Sequence, residues 1–416
     1  MSFWQMVRRL SGLVGTRFLG AGLGFLTQII LARLFPPAEV GQIFTAMSAA
    51  VLVTFVITAG FPALNLVTVP RLASLSGAGR SLPAFHGAGL RVLALPWLMA
   101  AVAALAVWSL APPASSLRLP LIFAVLISLP GIFIIHNSAT ANGLRRFNLS
   151  YLPDFVLRPG LLLAFVGMAV LFQWPLQWWN VLVAAWLAAV MVAALQAWLL
   201  GADGLRWHQW FAARRAYTGA LLPRALSLLV VALVAGAFSD LVTLLSGLLL
   251  PADQVALVAV AVRLAAISAF VVQAAQQLVL PDTAAALVRR DAAAVSQLLV
   301  RMNLLTLGTM TFGLLGAIIL GRWVLGFFGP AYPAAYGLLL LFMTGQTVRA
   351  MSGLNQHLLS LAGHQGETAM ACLAAVIVLV AGGGGRPPGL WGPRRGRAGG
   401  SGGDSRRHSP RRRGAH

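Results

Sequence analysis

The sequence contains no lysine; all thirty of its basic residues are arginine. A nucleotide-binding loop of the GxxxxGK[ST] type is therefore impossible, which argues against direct ATP hydrolysis. Acids are scarce too, nine in 416 residues, which leaves little for acid–base catalysis. A single cysteine, Cys372, excludes an intrachain disulfide and any cysteine-based metal cluster. His-Cys metal spacing and a Ser-His-Asp set on the outer side are missing as well. The chain is accordingly expected to be no enzyme and to hold no metal or cofactor. Charged residues make up 9% of the chain, against roughly 25% in a soluble domain. So few charges cannot cover a water-facing surface of this size, and the chain belongs in lipid.

Apolar length is what the sequence has instead. Hydrophobic residues account for 59% of it and the mean hydropathy is +0.84. About 20 apolar residues cross the hydrocarbon core as a helix. Such runs lie near 10–35, 41–69, 88–111, 119–143, 152–173, 178–200, 221–249, 254–280, 303–325 and 336–361. An eleventh begins at Glu367 and stops short near Ala381. The first is too long for a removable signal and reads as a permanent anchor. Strand alternation is absent, which argues against a β-barrel. The expected fold is an all-α integral membrane protein with about 11 of 12 or more transmembrane helices.

Arginine placement gives an orientation. With the N-terminus cytoplasmic, fourteen arginines fall in inner segments and three, Arg33, Arg118 and Arg322, in outer ones. Trp174, Trp178 and Trp179 bracket an outer loop, as interfacial aromatics do. No loop exceeds about 20 residues before the tail, so there is no room for a folded soluble domain. Function must lie between helices.

Two hairpins look like copies. "ARLFPPAEVGQIFTAM" joins the first two spans and "GLLLPADQVALVAVAVRLAA" joins the seventh and eighth. Pro37-Ala38-Glu39 and Pro251-Ala252-Asp253 match at an offset of 214. Pro-Ala-acid is also a generic helix start, but the shared context favours a repeat. With six spans per copy, both copies have the same orientation, giving two parallel six-helix lobes. The division expected is an N-terminal lobe over 1–200, a basic cytoplasmic linker over 201–220 and a C-terminal lobe over 221–381. An Arg/Gly-rich tail follows over 382–416.

"QIILARLFPPAEVGQIFTAMSAA", "DLVTLLSGLLLPADQVALVAVAVRLA" and "NQHLLSLAGHQGETA" together resemble the flippases of the polysaccharide biosynthesis family. These belong to the multidrug, oligosaccharidyl-lipid and polysaccharide exporter superfamily. The resemblance covers residues 1 to about 380 and implies two bundles around a central cavity. It implies alternating access that carries an undecaprenyl-diphosphate-linked oligosaccharide across a bacterial inner membrane for surface polysaccharide. It also implies a monomer in the lipid bilayer, beside a polysaccharide polymerase or glycosyltransferases, with no nucleic-acid partner. Cavity arginines on the first and eighth helices are a feature of such flippases. Arg17 and Arg263 occupy those helices here.

Ionisable groups at membrane depth are costly and mark candidate sites. Arg17, Asp240, Arg263 and Arg349 are the four that stand out. Asp240 and Arg263 lie at similar depth, roughly 15–18 Å below the turn at Pro251, and can pair. Either they simply carry each other through lipid, or Arg263 binds substrate phosphate while Asp240 holds it or exchanges a proton. Arg17 either faces the cavity or snorkels to the inner interface. Arg349 lies deeper in its span. Guanidinium groups chelate phosphate oxygens bidentately, so Arg17, Arg263 and Arg349 are the candidate substrate ligands.

Polar residues cluster at His136, Asn137, Ser138, Thr140 and Asn142, at Gln273, Gln276 and Gln277, and at Gln346, Asn355, Gln356 and His357. Interhelical hydrogen bonds account for most such groups; any that face the cavity could bind sugar hydroxyls. Gly20 and Gly24 read as a close-packing pair, and Asp154 with Arg158 as a local interfacial ion pair. Two other functions stay open. A cation-coupled multidrug exporter would use Asp240, the usual acid in the first helix being absent. A polysaccharide polymerase or ligase would need a large outer loop that the chain lacks.

The tail breaks the pattern. Nine arginines follow residue 385 with one acid, Asp404. By alternation they would face outward, against the bias elsewhere. The reading expects a frameshift near Gly382 that replaced the rest of an eleventh helix and a twelfth. The competing reading is a disordered cytoplasmic tail that binds anionic lipid or RNA. Translation of the other two frames downstream decides between them: an apolar span of about 20 residues in one frame is expected, and its absence from both would remove the frameshift.

Overall fold

A computed structural model describes residues 3–58, 60–74, 78–110, 117–202, 237–268 and 292–351, with positions 272, 370 and 374. All regular structure among the described residues is helical. The N-terminal half contains α1 (Phe3–Leu34), α2 (Pro37–Thr58), α3 (Phe61–Ala73), α4 (Ala78–Leu110) and α5 (Arg118–Gly143). It continues with α6 (Phe147–Leu152), a π-helical turn (Pro153–Leu157), α7 (Arg158–Leu171) and α8 (Trp178–Ala202). The C-terminal half contains α9 (Phe238–Leu249), α10 (252–268), α11 (Ala292–Gly326), a 3-10 turn (Tyr332–Ala335) and α12 (Tyr336–Met351). Residues 203–236, which include most of the expected linker, lie outside the described residues. So do Gln273, Gln276, Gln277, Asn355, Gln356, His357 and the 382–416 tail.

Among the described residues, six helices are long and apolar enough to cross a bilayer. The surface they present is apolar: Met99, Val102, Phe312, Ile319 and Leu341 are all exposed. Large apolar side chains at the periphery are what a lipid solvent demands, with every backbone group satisfied inside a helix. The chain is a multi-pass membrane protein.

Some boundaries differ from the sequence reading. The run 41–69, expected as one helix, is two. Gly60 takes a left-handed φ of 73° and Pro62 opens α3, so the helix stops and restarts. The span expected at 152–173 begins at Phe147, and that expected at 303–325 begins at Ala292. Asn148 and Ser150 hid the first of these starts, and Ser296, Gln297 and Arg301 the second.

The repeat is visible in the hydrogen bonds. Phe35 N–H donates to Leu31 C=O, and Glu39 and Val40 N–H donate to Pro36 C=O. Leu250 donates to Ser246, and Gln254 and Val255 donate to Pro251. Every donor and acceptor corresponds at an offset of 215, one residue from the offset that the Pro-Ala-acid match suggested. Pro36, not Pro37, is the equivalent of Pro251. The motif misled because the helix-breaking role belongs to the first proline of Pro36-Pro37.

The two halves touch at the end that carries these turns. A Cβ on Gly41 of α2 would lie 1.8 Å from the backbone oxygen of Ala252, and one on Gly247 of α9 would lie 2.7 Å from Thr45 Oγ1. Leu31, Ile43 and Phe44 share one buried core with Ala256, Ala259, Val260, Phe328 and Tyr332. Arg33 Nε donates to Phe327 C=O at 2.6 Å and ties the ends of α1 and α11 at the same level. Gly41→Ala is expected to destabilise the protein by about 1–3 kcal/mol, the usual cost of overpacking against backbone. Gly22→Ala, with open space around its Cβ, should be neutral or slightly stabilising. Thermal unfolding of both variants in detergent checks the contrast.

Candidate functional site

Below that contact a hollow opens between the halves. Arg263 of α10 enters it and is braced on three sides. Its NH2 lies 3.7 Å from Asp240 Oδ1 and donates to Ser48 Oγ at 3.0 Å. Ser48 of α2 in turn donates to Asp240 Oδ1 at 2.8 Å, closing a triangle. The guanidinium plane lies over the Phe44 ring, 4.3 Å from its centroid. Cation–π stacking of this kind holds the plane and leaves the N–H edge for other acceptors. Asp240 sits in the first turn of α9, where unpaired backbone N–H groups favour a negative charge. The ion pair expected from the sequence is formed.

At the repeat offset of 215, Ser48 and Arg263 are equivalent positions. Equivalent residues can touch only where the two halves meet about their common axis. The pair therefore marks that axis. Asp240 corresponds to Phe25, which packs edge-on against Phe328 at 5.5 Å. One half supplies a hydroxyl and an aromatic ring where the other supplies a guanidinium and a carboxylate. The backbone repeats but the chemistry does not.

A second ion pair lines the same hollow. Arg158 NH1 lies 3.0 Å from Asp154 Oδ1. Both were expected at a membrane interface. The earlier start of the helix, at Phe147, instead puts them about 10 and 16 Å along it, where they line the cavity. The π-helical turn Pro153–Leu157 lies against α1: a Cβ on Gly20 would come within 2.2 Å of Phe155 O. Gly20 is thus a close-packing glycine, as expected. Gly24 has nothing near its Cβ and instead opens onto the cavity. The available signal was in "YLPDFVLRPG", an acid and an arginine between two prolines within an apolar run.

The cavity has a volume of about 480 Å³. Its charged lining among the described residues is Asp154, Arg158, Asp240 and Arg263, with Thr27, Gln28 and Thr54 as neutral polar groups. Gln28 Oε1 is buried without a hydrogen-bond partner. Position 17 continues the stripe of α1 formed by Gly20, Ala21, Gly24, Gln28 and Leu31, all of which line the cavity. The Arg17 side chain itself lies outside the described residues. Arg349 lies in the last turn of α12 at an exposed position and is not part of this lining.

The polar residues of α5 mostly bind other helices. His136 Nε2 donates to His86 C=O at 3.1 Å, and His86 Nδ1 and Asn65 Nδ2 meet Thr140 Oγ1 at 3.0 and 3.3 Å. Gln196 Nε2 donates to Ser138 Oγ at 2.9 Å. Toward the cavity α5 shows Ile127, Gly131 and Ile135. His136, Ser138 and Thr140 therefore tie α3, α4, α5 and α8 together, and none of them lines the cavity.

No family model and no curated protein matches the sequence. Solved structures do match in fold. An inward-facing multidrug resistance MATE family transporter of the MOP superfamily superposes with a TM-score of 0.64 at 13% identity, covering 87% of this chain and 85% of that one. A MOP superfamily transporter from Pyrococcus furiosus Vc1, described as having a binding pocket of reversed polarity, gives 0.54 at 14%, covering 90% and 88%. A MATE protein in complex with MaD3S gives 0.52 at 15%, covering 90% and 86%. The chain has the fold of the MATE transporters of the MOP superfamily.

Proposed function

We propose that the protein is a transporter that carries a lipid-linked oligosaccharide diphosphate across a bacterial inner membrane for surface polysaccharide synthesis. The observation that supports this most is Arg263, oriented by Phe44, Ser48 and Asp240 at the wall of the cavity. Concentrated anionic charge is what such a guanidinium recognises. A lipid-linked diphosphate combines that charge with a polyprenyl chain suited to the surrounding bilayer and sugars suited to the neutral polar lining. Alternating access of the two halves around the cavity would move the head group between leaflets, with the N-terminus cytoplasmic.

The superposition on multidrug MATE structures favours a second reading, a cation-coupled exporter of amphipathic molecules. A cationic drug would need a free carboxylate. Both cavity acids, Asp154 and Asp240, are already paired with arginines, which favours the anionic substrate.

Expression in a host lacking its own lipid-linked sugar flippase tests the choice. Arg263→Gln is expected to cut surface polysaccharide at least about ten-fold at normal protein level, the loss of a charge-assisted phosphate contact. Arg263→Lys should keep a part of it. Undiminished polysaccharide in Arg263→Gln, together with dye efflux that depends on Asp240, would replace this reading with the exporter.

A further inference from the structure

The cavity holds two arginine–carboxylate pairs, one from each half. Arg158 and Asp154 are not lipid-facing; both line the hollow that Arg263 and Asp240 line. Their side chains are 32% and 30% exposed, against 17% and 22% for Arg263 and Asp240. The N-terminal pair is therefore the more open one.

The local backbone places Arg158 there at some cost. A π-helical turn interrupts α6–α7 at Pro153–Leu157, and α1 can lie against it only because residue 20 is glycine. Single π turns inside helices recur at functional sites because they re-aim side chains that an unbroken helix would send elsewhere. A salt bridge meant only to carry two charges through lipid needs neither this turn nor an open wall.

We propose that Arg158 is a second anion ligand, and that Arg158 and Arg263 clamp the two phosphoryl groups of one diphosphate from opposite halves of the protein. This rests on the reading of the substrate as a lipid diphosphate. A planar guanidinium takes two oxygens of one phosphoryl group, so two arginines on opposite walls match the two phosphoryl groups of a diphosphate, of which a monophosphate offers only one. In the empty protein each acid occupies the place of a phosphate. When the anion enters, Asp240 keeps its hydrogen bond from Ser48, and Asp154 keeps its opening to the cavity. The two carboxylates thus compete with the substrate, and the sign of their removal is opposite to that of the arginines.

Equilibrium binding of farnesyl diphosphate and farnesyl monophosphate to the purified full chain in detergent tests the clamp. The wild type is expected to prefer the diphosphate about ten-fold, the effect of one added charge-assisted contact. Arg158→Gln and Arg263→Gln should each reduce that preference toward unity, while Asp154→Asn should tighten diphosphate binding several-fold. A pair that is only structural would make Asp154→Asn and Arg158→Gln weaken the protein alike. If Arg158→Gln is unstable, the neutral double variant Asp154→Asn/Arg158→Gln keeps the packing and should also lose the preference. Retention of the full preference in the Arg158 variants, with its loss in Arg263→Gln, would overturn the clamp and leave the diphosphate reading standing. No preference in the wild type would overturn both.

Discussion

Arg263 carries a full charge to the line where the two halves meet, and the surroundings of the cavity follow from the need to neutralise it there. At membrane depth an unpaired guanidinium would cost several kcal/mol. Asp240 balances it, Ser48 connects the two, and Phe44 fixes the plane. The four groups come from three helices: Arg263 from α10, Asp240 from α9, and Ser48 and Phe44 from α2. The Ser48 and Phe44 contacts can form only if the hairpins holding α1–α2 and α9–α10 dock closely. That docking needs Gly41 against Ala252 and Gly247 against Thr45. The electrostatics of the site and the packing of the turns are thus one constraint.

Much of this is legible in the sequence. Asp240 and Arg263 stand almost equally far from Pro251 on neighbouring spans, and depth alone paired them. The expected two-hairpin repeat is likewise visible, because turn chemistry is local. The register failed by one residue because two consecutive prolines, Pro36 and Pro37, both looked like helix starts, and only the hydrogen bonds to Pro36 C=O separate them. The division of 41–69 escaped because hydropathy runs unbroken through Phe61, although Gly60 and Pro62 carried the signal.

Arg158 escaped for a different reason. Pattern reasoning finds an i, i+4 pair easily, but its depth depends on where the helix begins. Arg145, Arg146 and Asn148 look like loop residues, yet α6 starts at Phe147. Shifting that start deepened the pair and turned an interfacial feature into a cavity feature. The π turn has no sequence signature beyond its flanking prolines. Conversely, the polar run His136–Asn142 invited a ligand role by composition alone. Its helical phase decides otherwise: Ile127, Gly131 and Ile135 form the stripe toward the cavity, and the polar stripe faces α3, α4 and α8.

A carrier has to turn twice in each cycle, once loaded and once empty, and the paired charges bear on the empty turn. Two bare arginines in the cavity would bind anions well, but the unloaded protein would then hold two uncompensated charges at low dielectric. Breaking a buried pair by removing one partner costs about 3–5 kcal/mol, enough to stall reorientation without cargo. With Asp154 and Asp240 standing in for the phosphates, the charges of the described cavity lining cancel pair by pair. Under the proposed clamp a diphosphate would bind by displacing the carboxylates and not by filling a vacant charge. Affinity falls as a result, which favours release on the far side. On this view the acids are not proton donors by necessity; their first role is to make the unloaded state affordable. The axis position of Ser48 and Arg263 fits the same logic, since groups on the axis shift least as the halves rock.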